Sequence, residues 1–216
     1  MAHSHSFDAI VLKTYDVGEA DRFCILFTRE RGRVAARASG ARRLHSRLGG
    51  ALLPFRHITV ELKEGNGGWI IAGAQTKGNQ RNQGIQGNPG CAVAEFAALE
   101  EGIELLLRLV TDEGALPEVF DATLAFIHAC GNGVSHAGLG YGFMLLHCLG
   151  LLPEGNELRE FQPLTAAQSS YVDSCRSGTF VAPAQEMNPL HVLQSILLAD
   201  HLHTPLRSKE AIEAMR

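Results

Sequence analysis

Residues 58–75 read ITVELKEGNGGWIIAGAQ, in which two runs rich in β-branched and aromatic residues flank Gly65-Asn66-Gly67-Gly68. Gly and Asn tolerate the positive φ that tight hairpin turns require, so this stretch predicts a β-hairpin. Towards the amino terminus, three similar runs are separated by further turn residues: Phe7–Tyr15, Phe23–Thr28 and Arg33–Ala38. Five short strands within about 70 residues are typical of a small closed or nearly closed barrel.

The pattern changes after residue 78. Residues 79–90 are rich in Gly, Asn and Gln, bury little and predict a linker. Apolar residues then recur every three or four positions, which predicts helices. We therefore expect a multidomain chain with an all-β domain over 1–78, a linker over 79–90 and a mostly α-helical domain over 91–216. The expected helices cover about 91–111, a segment starting at Leu116-Pro117, Tyr141–Leu151 and Pro189–His201. Ser169–Val172 and Gly178–Val181 are expected to form an extended pair.

Charge is divided unevenly along the chain, although the total is only −4. Residues 1–81 carry 13 Lys and Arg against 7 Asp and Glu, a net of +6. Residues 82–216 carry 6 against 16, a net of −10. Such asymmetry indicates that the first part binds a polyanion.

Arginine accounts for most of that positive charge. Nine arginines and no lysine lie between positions 22 and 56, where Glu30 is the only acid. Because alternate residues of a strand share a face, Val34, Ala36 and Ala38 are expected to point inward and the neighbouring arginines outward. Guanidinium groups present a fork of donors that suits phosphate, so the cluster predicts nucleic-acid binding with little sequence selectivity. A solvated basic face is the alternative interpretation.

Aromatic side chains that could stack on bases are few in this part. Phe23 and Phe27 are expected to belong to the core, whereas Tyr15 and Trp69 flank turns and are the better candidates.

Other chemistry has weak support. The five cysteines are irregularly spaced without a Cys-x-x-Cys pair, so we expect reduced thiols and no bound metal or other cofactor. Motifs for nucleotide hydrolysis, serine hydrolysis and zinc proteolysis are absent from the sequence, so we expect no enzyme. No export signal or apolar run long enough to span a bilayer is visible, and we expect a cytoplasmic protein with no membrane contact.

Several segments closely resemble the RecO family of bacterial recombination mediators. In the first part these are AIVLKTYDVGEAD (9–21), LFTRERG (26–32), ASGARR (38–43) and SRLGGALLPF (46–55). Looser matches follow at 94–96, 116–120, 143–153 and 205–210, so the resemblance covers nearly the whole chain.

The resemblance implies an oligonucleotide/oligosaccharide-binding (OB) barrel followed by a helical domain. It also implies binding of single- and double-stranded DNA, annealing of complementary strands and nucleoid association during repair. The implied partners are RecR and the acidic carboxyl-terminal tail of SSB, with which the protein helps to load RecA onto SSB-coated DNA. By position, the implied DNA-binding residues are Arg33, Arg37, Arg42, Arg43 and Arg47, and further candidate contacts are Arg22, Arg56 and Tyr15. Candidate contacts for the SSB tail are Arg108, Arg207 and Lys209.

One departure from the family concerns a four-cysteine zinc module that many members carry. This chain keeps only Cys175 in the corresponding region, so we expect a metal-free remnant near 154–184. Two functions of other classes remain open. The same arginines would serve an RNA-binding OB protein of ribosome assembly or translation, and a zinc-dependent enzyme is a weaker third hypothesis.

Overall fold

Five strands form the first part of the chain. The computed structural model describes residues 4–65, 67–77, 93–110, 114–134, 136–180, 186–199 and 201–202. A short helix lies between the third and fourth strands. In chain order the elements are β1 (Ser4–Val17), β2 (Asp21–Thr28), β3 (Gly32–Ala38), α1 (Arg47–Ala51), β4 (His57–Gly65) and β5 (Gly68–Thr76).

The strands close into a barrel in the order β1-β2-β3-β5-β4. Strand β1 pairs antiparallel with both β2 and β4, and β4 and β5 form the hairpin predicted around residues 65–68. A short parallel pairing of β3 with β5 completes the circle, in which Arg37 lies opposite Ile70. The five-stranded OB barrel followed by helices is thereby confirmed.

The interior of the barrel is filled by small and β-branched side chains. Along β3, Val34, Ala36 and Ala38 are fully buried, whereas Arg33 and Arg37 lie on the outer face, as the alternation predicted. Small residues on this strand suit a narrow barrel, because other strands contribute larger side chains such as Leu26 and Leu62.

The rest of the chain is helical. The described helices that follow the barrel strands are α2 (Val93–Leu109), α3 (Pro117–Gly131), α4 (Ala137–Cys148), a 3₁₀ turn (Gly155–Glu157), α5 (Leu158–Phe161), α6 (Ala166–Arg176) and α7 (Asn188–Ala199). Contacts divide the chain into a barrel unit, residues 1–90 with 111–120, and a helical unit, residues 91–110 with 121–216. The predicted linker, 79–90, lies outside the described residues.

Phe120 packs on the outside of the barrel within the barrel unit. Its ring centroid lies 6.1 Å from that of Phe27 and 5.9 Å from that of His57, and the Arg29 guanidinium lies over its face at 5.8 Å. Phe27 is therefore fully buried, as expected of a core residue, although it lies outside the interior of the barrel. The expectation that Phe23 is also a core residue is wrong, because this side chain is only partly buried on the outer face.

The core of the helical unit is built around one stacked aromatic pair. The ring centroids of Phe126 in α3 and Tyr141 in α4 lie 4.2 Å apart, and the two rings are nearly parallel. The Tyr141 hydroxyl is hydrogen-bonded to the Thr123 hydroxyl at 2.9 Å, which satisfies two buried polar groups. Gly102 of α2 lies against this pair, since a Cβ at Gly102 would collide with the Phe126 ring.

The expected extended pair at 169–172 and 178–181 is wrong. Residues 166–176 form α6, which begins with a capping box between Thr165 and Gln168. Tyr171, Val172 and Cys175 are buried at the three- and four-residue spacing of a helix. The helix ends before Gly178, whose φ of +82° is left-handed.

Within the described ranges, no helix has both the length and the apolar character needed to cross a bilayer.

Candidate nucleic-acid interface

The segment that follows β3 carries most of the candidate arginines. We call residues 39–47, the loop and the first residue of α1, the basic loop. Its start is fixed at three points. The Ala41 side chain is buried in the barrel core, and the backbone N–H of Arg42 donates to the Ala20 carbonyl at 2.9 Å. The N–H of Gly40 donates to the Asp21 carboxylate at 2.8 Å. Residues 42–45 are all exposed beyond these anchors.

Two carboxylates pair with three of the arginines. Arg37 donates from Nε and Nη2 to Asp21 at 2.9 and 2.6 Å, and its side chain remains 57 % exposed. Arg22 and Arg42 both lie within 3.4 Å of the Asp16 carboxylate. Although these acids precede the arginine-rich window in the sequence, the β1–β2 hairpin brings them into the cluster.

Asp21 is held in its charged form by these partners. The hydrogen bond from the Gly40 backbone is the largest influence, followed by the hydrogen bond from Arg37, and together they lower the pKa of Asp21 below its usual 3.8. A carboxylate that stays charged fixes both the Arg37 guanidinium and the first turn of the basic loop.

Arg43 and Arg47 differ from the other arginines. Both are exposed, and neither side chain makes a hydrogen bond or ion pair with any residue in the described part of the chain. The charge of Arg43 helps to lower the pKa of the nearby Asp21 carboxyl, but both guanidinium groups remain exposed to an anion in solution. Arg33 is partly buried on the same outer face as Arg37.

Arg22 and Arg56 mainly support α1. Arg22 donates to the Leu52 carbonyl at 3.1 Å and is only 18 % exposed, while Arg56 donates to the Gly50 carbonyl. Because their guanidinium groups bind the backbone at the end of α1, these two candidates are placed to hold the segment rather than to face a ligand.

Four residues form a continuous row across the outer face of the barrel. Tyr15 lies opposite Phe23, Phe23 lies opposite Arg37, and Arg37 lies opposite Ile70. Residues directly opposite in a sheet share a face, so this outer row places an arginine between an aromatic pair and an isoleucine. Tyr15 is 53 % and Ile70 41 % exposed.

Trp69, the other stacking candidate, lies on the opposite face. It is opposite the buried Ala36, packs against the barrel core and makes an edge contact with Phe7. Arg31 covers its ring with the guanidinium carbon 5.0 Å from the centroid. Trp69 is therefore not part of the outer row.

Sequence reasoning missed Asp16, Asp21, Phe23 and Ile70 as parts of the site. A signal for the acids was present, because the Gly18 turn predicts a hairpin that places Asp16 opposite Arg22. Phe23 and Ile70 depend on strand register, which alternation within one strand does not reveal.

Of the three candidate contacts for an acidic peptide, one lies among the described residues of the helical unit. Arg108 is bound to Glu104 at 2.6 Å and is 21 % exposed. Arg207 and Lys209 lie outside the described residues. Among the residues that the structure describes, no three His, Cys, Asp or Glu side chains converge as metal ligands, and Cys24, Cys130, Cys148 and Cys175 are free thiols.

The chain is similar to proteins named DNA repair protein RecO. A family model described as "Recombination protein O N terminal" matches residues 1–80. The protein from Nocardioides sp. is 51 % identical over 69 residues, which are 32 % of this chain and 28 % of that protein. The protein from Anaeromyxobacter sp. (strain K) is 36 % identical over 148 residues, which are 67 % of this chain and 56 % of that protein. The chain thus spans between about a quarter and somewhat more than half of the length of these relatives.

Proposed function

Because the chain belongs to the RecO family through its amino-terminal domain, we propose that it binds single- and double-stranded DNA in recombinational repair. The observation that carries this proposal is the exposure of two arginines of the basic loop, Arg43 and Arg47, whose side chains make no hydrogen bond or ion pair within the described residues, together with the exposed Arg37 of β3. Guanidinium groups on a loop with a fixed start suit phosphates, which give affinity independent of sequence.

The outer row supports binding of single strands in particular. An OB barrel grips a single strand by stacking bases on exposed aromatic rings while cations hold the backbone. Tyr15 offers such a ring two strands away from Arg37, with Phe23 between them. A duplex, whose bases are already stacked, has no free base for the Tyr15 ring, so its phosphates would be held by the arginines.

The wider role is also a proposal. We infer annealing of complementary strands, contact with RecR and with the acidic tail of SSB, and help in loading RecA onto SSB-coated DNA, all in the cytoplasm and at the nucleoid during repair. The support is the family resemblance. We propose no catalytic activity and no cofactor, since the described arrangement offers charge and stacking surfaces.

Replacing Arg43 and Arg47 together by Ala tests the proposal. Binding to a single strand of about 30 nucleotides should weaken for every sequence, and the slope of log K against log salt should fall by roughly 1 to 1.5, because each lost phosphate contact contributes about 0.7. Fluorescence anisotropy at several salt concentrations measures both quantities.

The matched control is the R43K/R47K variant, which keeps the charge and should keep most of the salt slope. Unchanged affinity and slope in the alanine variant would refute the assignment of the basic loop. If a matched RNA strand displaces DNA at equal concentration, the protein is instead an RNA binder that reads the 2′-hydroxyl.

A further inference from the structure

Leu44 is presented to solvent at the tip of the basic loop. Its side chain is 94 % exposed, whereas the next most exposed large hydrophobic residue among those described, Tyr15, is 53 % exposed. A single exposed leucine is common on protein surfaces. Leu44 differs from such residues because hydrogen bonds hold the backbone on both sides of it and because its neighbours in the loop are charged or polar.

The backbone around Leu44 is held on both sides. Before it, the N–H of Arg43 donates to the Gly40 carbonyl at 3.1 Å. After it, the N–H of Ser46 donates to the Arg43 carbonyl at 2.9 Å, and the Ser46 hydroxyl accepts from the N–H of Leu48 at the start of α1. Two consecutive turns therefore fix the direction in which Leu44 points.

The side chains beside Leu44 are three arginines and a histidine, all exposed: Arg42, Arg43, His45 and Arg47. No apolar neighbour in the loop extends Leu44 into a hydrophobic patch, so the surface does not match an apolar protein partner. Burial of one leucine in a bilayer would also give only marginal membrane binding, since even a whole acyl chain anchors a protein weakly and reversibly. A polyanion with apolar surfaces between its charges fits better, and nucleic acid is such a polymer.

We propose that Leu44 inserts as a wedge between neighbouring bases of DNA while Arg43 and Arg47 hold the flanking phosphates. This inference rests on the proposed DNA binding and adds a local unstacking of bases to it. Apolar wedges of this kind, leucine among them, unstack base steps and kink the duplex in other DNA-binding proteins. Pyrimidine–purine steps such as TA are the most easily opened and are the expected sites.

The test uses the full chain and a short duplex that carries 2-aminopurine at TA steps. This base analogue is quenched by stacking, so wedge insertion raises its fluorescence. At saturating protein the wild type should raise the signal, and L44A should return it to that of the free duplex. Because phosphate contacts dominate affinity, L44A should bind the same duplex within about threefold of the wild type.

Two further variants act as controls. L44M keeps apolar volume and should restore the fluorescence gain, whereas V192A, which shortens an exposed apolar side chain in α7, should leave the gain unchanged. Leu44 is almost fully exposed, so L44A should melt at the wild-type temperature.

The possible outcomes separate the two proposals. Tight DNA binding with an undiminished 2-aminopurine signal in L44A overturns the wedge and leaves DNA binding intact. Absence of DNA binding by the wild type overturns both. Loss of sedimentation with anionic vesicles in L44A, with the DNA signal unchanged, assigns Leu44 to a lipid surface and also overturns the wedge.

Discussion

Asp21 lies at the start of β2 and is hydrogen-bonded to two parts of the candidate interface. Its carboxylate accepts hydrogen bonds from the Arg37 guanidinium and from the Gly40 N–H. Gly40 has a φ of +68°, a left-handed conformation that glycine adopts without steric cost. One acidic side chain thus orients an arginine on the strand and fixes the turn that begins the basic loop.

Replacement of Asp21 by Asn should change the acid stability of the protein. The folded-state pKa of Asp21 lies below the unfolded value of 3.8, so the folded state binds fewer protons and gains stability from this group above that pH. The gain is lost as pH falls through the lowered pKa. The wild type should therefore melt above D21N at neutral pH, and the difference should shrink as the pH falls below 3.8.

Thermal melting followed by circular dichroism across this pH range measures the difference. A D16N variant is the matched control: Asp16 also pairs with arginines but accepts no backbone hydrogen bond from the basic loop among the described contacts. A difference between wild type and D21N that stays constant down to the lowest pH would contradict the role given to the Asp21 charge.

Among the elements, the strands were predicted well and the interface only in part. The turn at residues 65–68 and the alternation in β3 predict the hairpin and the inward face, because both depend on residues close in sequence. Conversely, Phe23 and Ile70 join Arg37 through the β2–β3 and β3–β5 registers, which alternation within one strand does not reveal, and the second of these pairings joins strands that are not consecutive. The mistaken strand at 169–172 had local evidence against it, since Thr165 and Gln168 have the spacing of a helix cap.

The contact between helices α2, α3 and α4 depends on a residue without a side chain. A Cβ at Gly102 would collide with the Phe126 ring and lie 3.1 Å from Tyr141. Alanine favours a helix over glycine by about 1 kcal/mol, but overpacking a core typically costs about 1–3 kcal/mol. We expect G102A to lower the free energy of unfolding.

Gly138 of α4 provides the matched control. A Cβ there would meet Ala98 at 3.8 Å, an ordinary van der Waals distance, so G138A should be neutral or stabilising. Urea denaturation monitored by far-ultraviolet circular dichroism compares the two variants. Equal stability changes in both would show that the ring contact with Gly102 does not limit packing.

At the scale of the whole molecule, each unit has its own core and at least one buried thiol, with Cys130 and Cys175 both buried in the helical unit. Cys24 lies in the interior of the barrel, and Cys175 lies on the buried face of α6 in the helical unit. Burial is the main cause that raises the pKa of each thiol to about 11. At pH 8 only about one in a thousand of these thiols is therefore ionised, and the folded protein should protect both from alkylation.

Labelling with iodoacetamide in increasing urea should show Cys24 and Cys175 becoming reactive in two separate transitions, because the two cores are built from different residues. Peptide mass spectrometry assigns each transition to its cysteine. Among the four described cysteines, Cys148 is only half-buried, so it should be labelled first and serves as the internal reference. Coincident transitions of Cys24 and Cys175 would show that the chain unfolds as one cooperative unit.

The pairing of β1 with β4 has a consequence for synthesis of the chain on the ribosome. Strands β1, β2 and β3 are consecutive neighbours and can pair as they emerge, but the other edge of β1 is satisfied only by β4, where His5 lies opposite Leu62. Contacts between such distant segments form late in folding. Until β4 has left the exit tunnel, the nascent protein carries a long unpaired strand edge, the kind of surface that recruits other extended chains. Translation rate through residues 18–65 should therefore influence how much of the protein escapes aggregation.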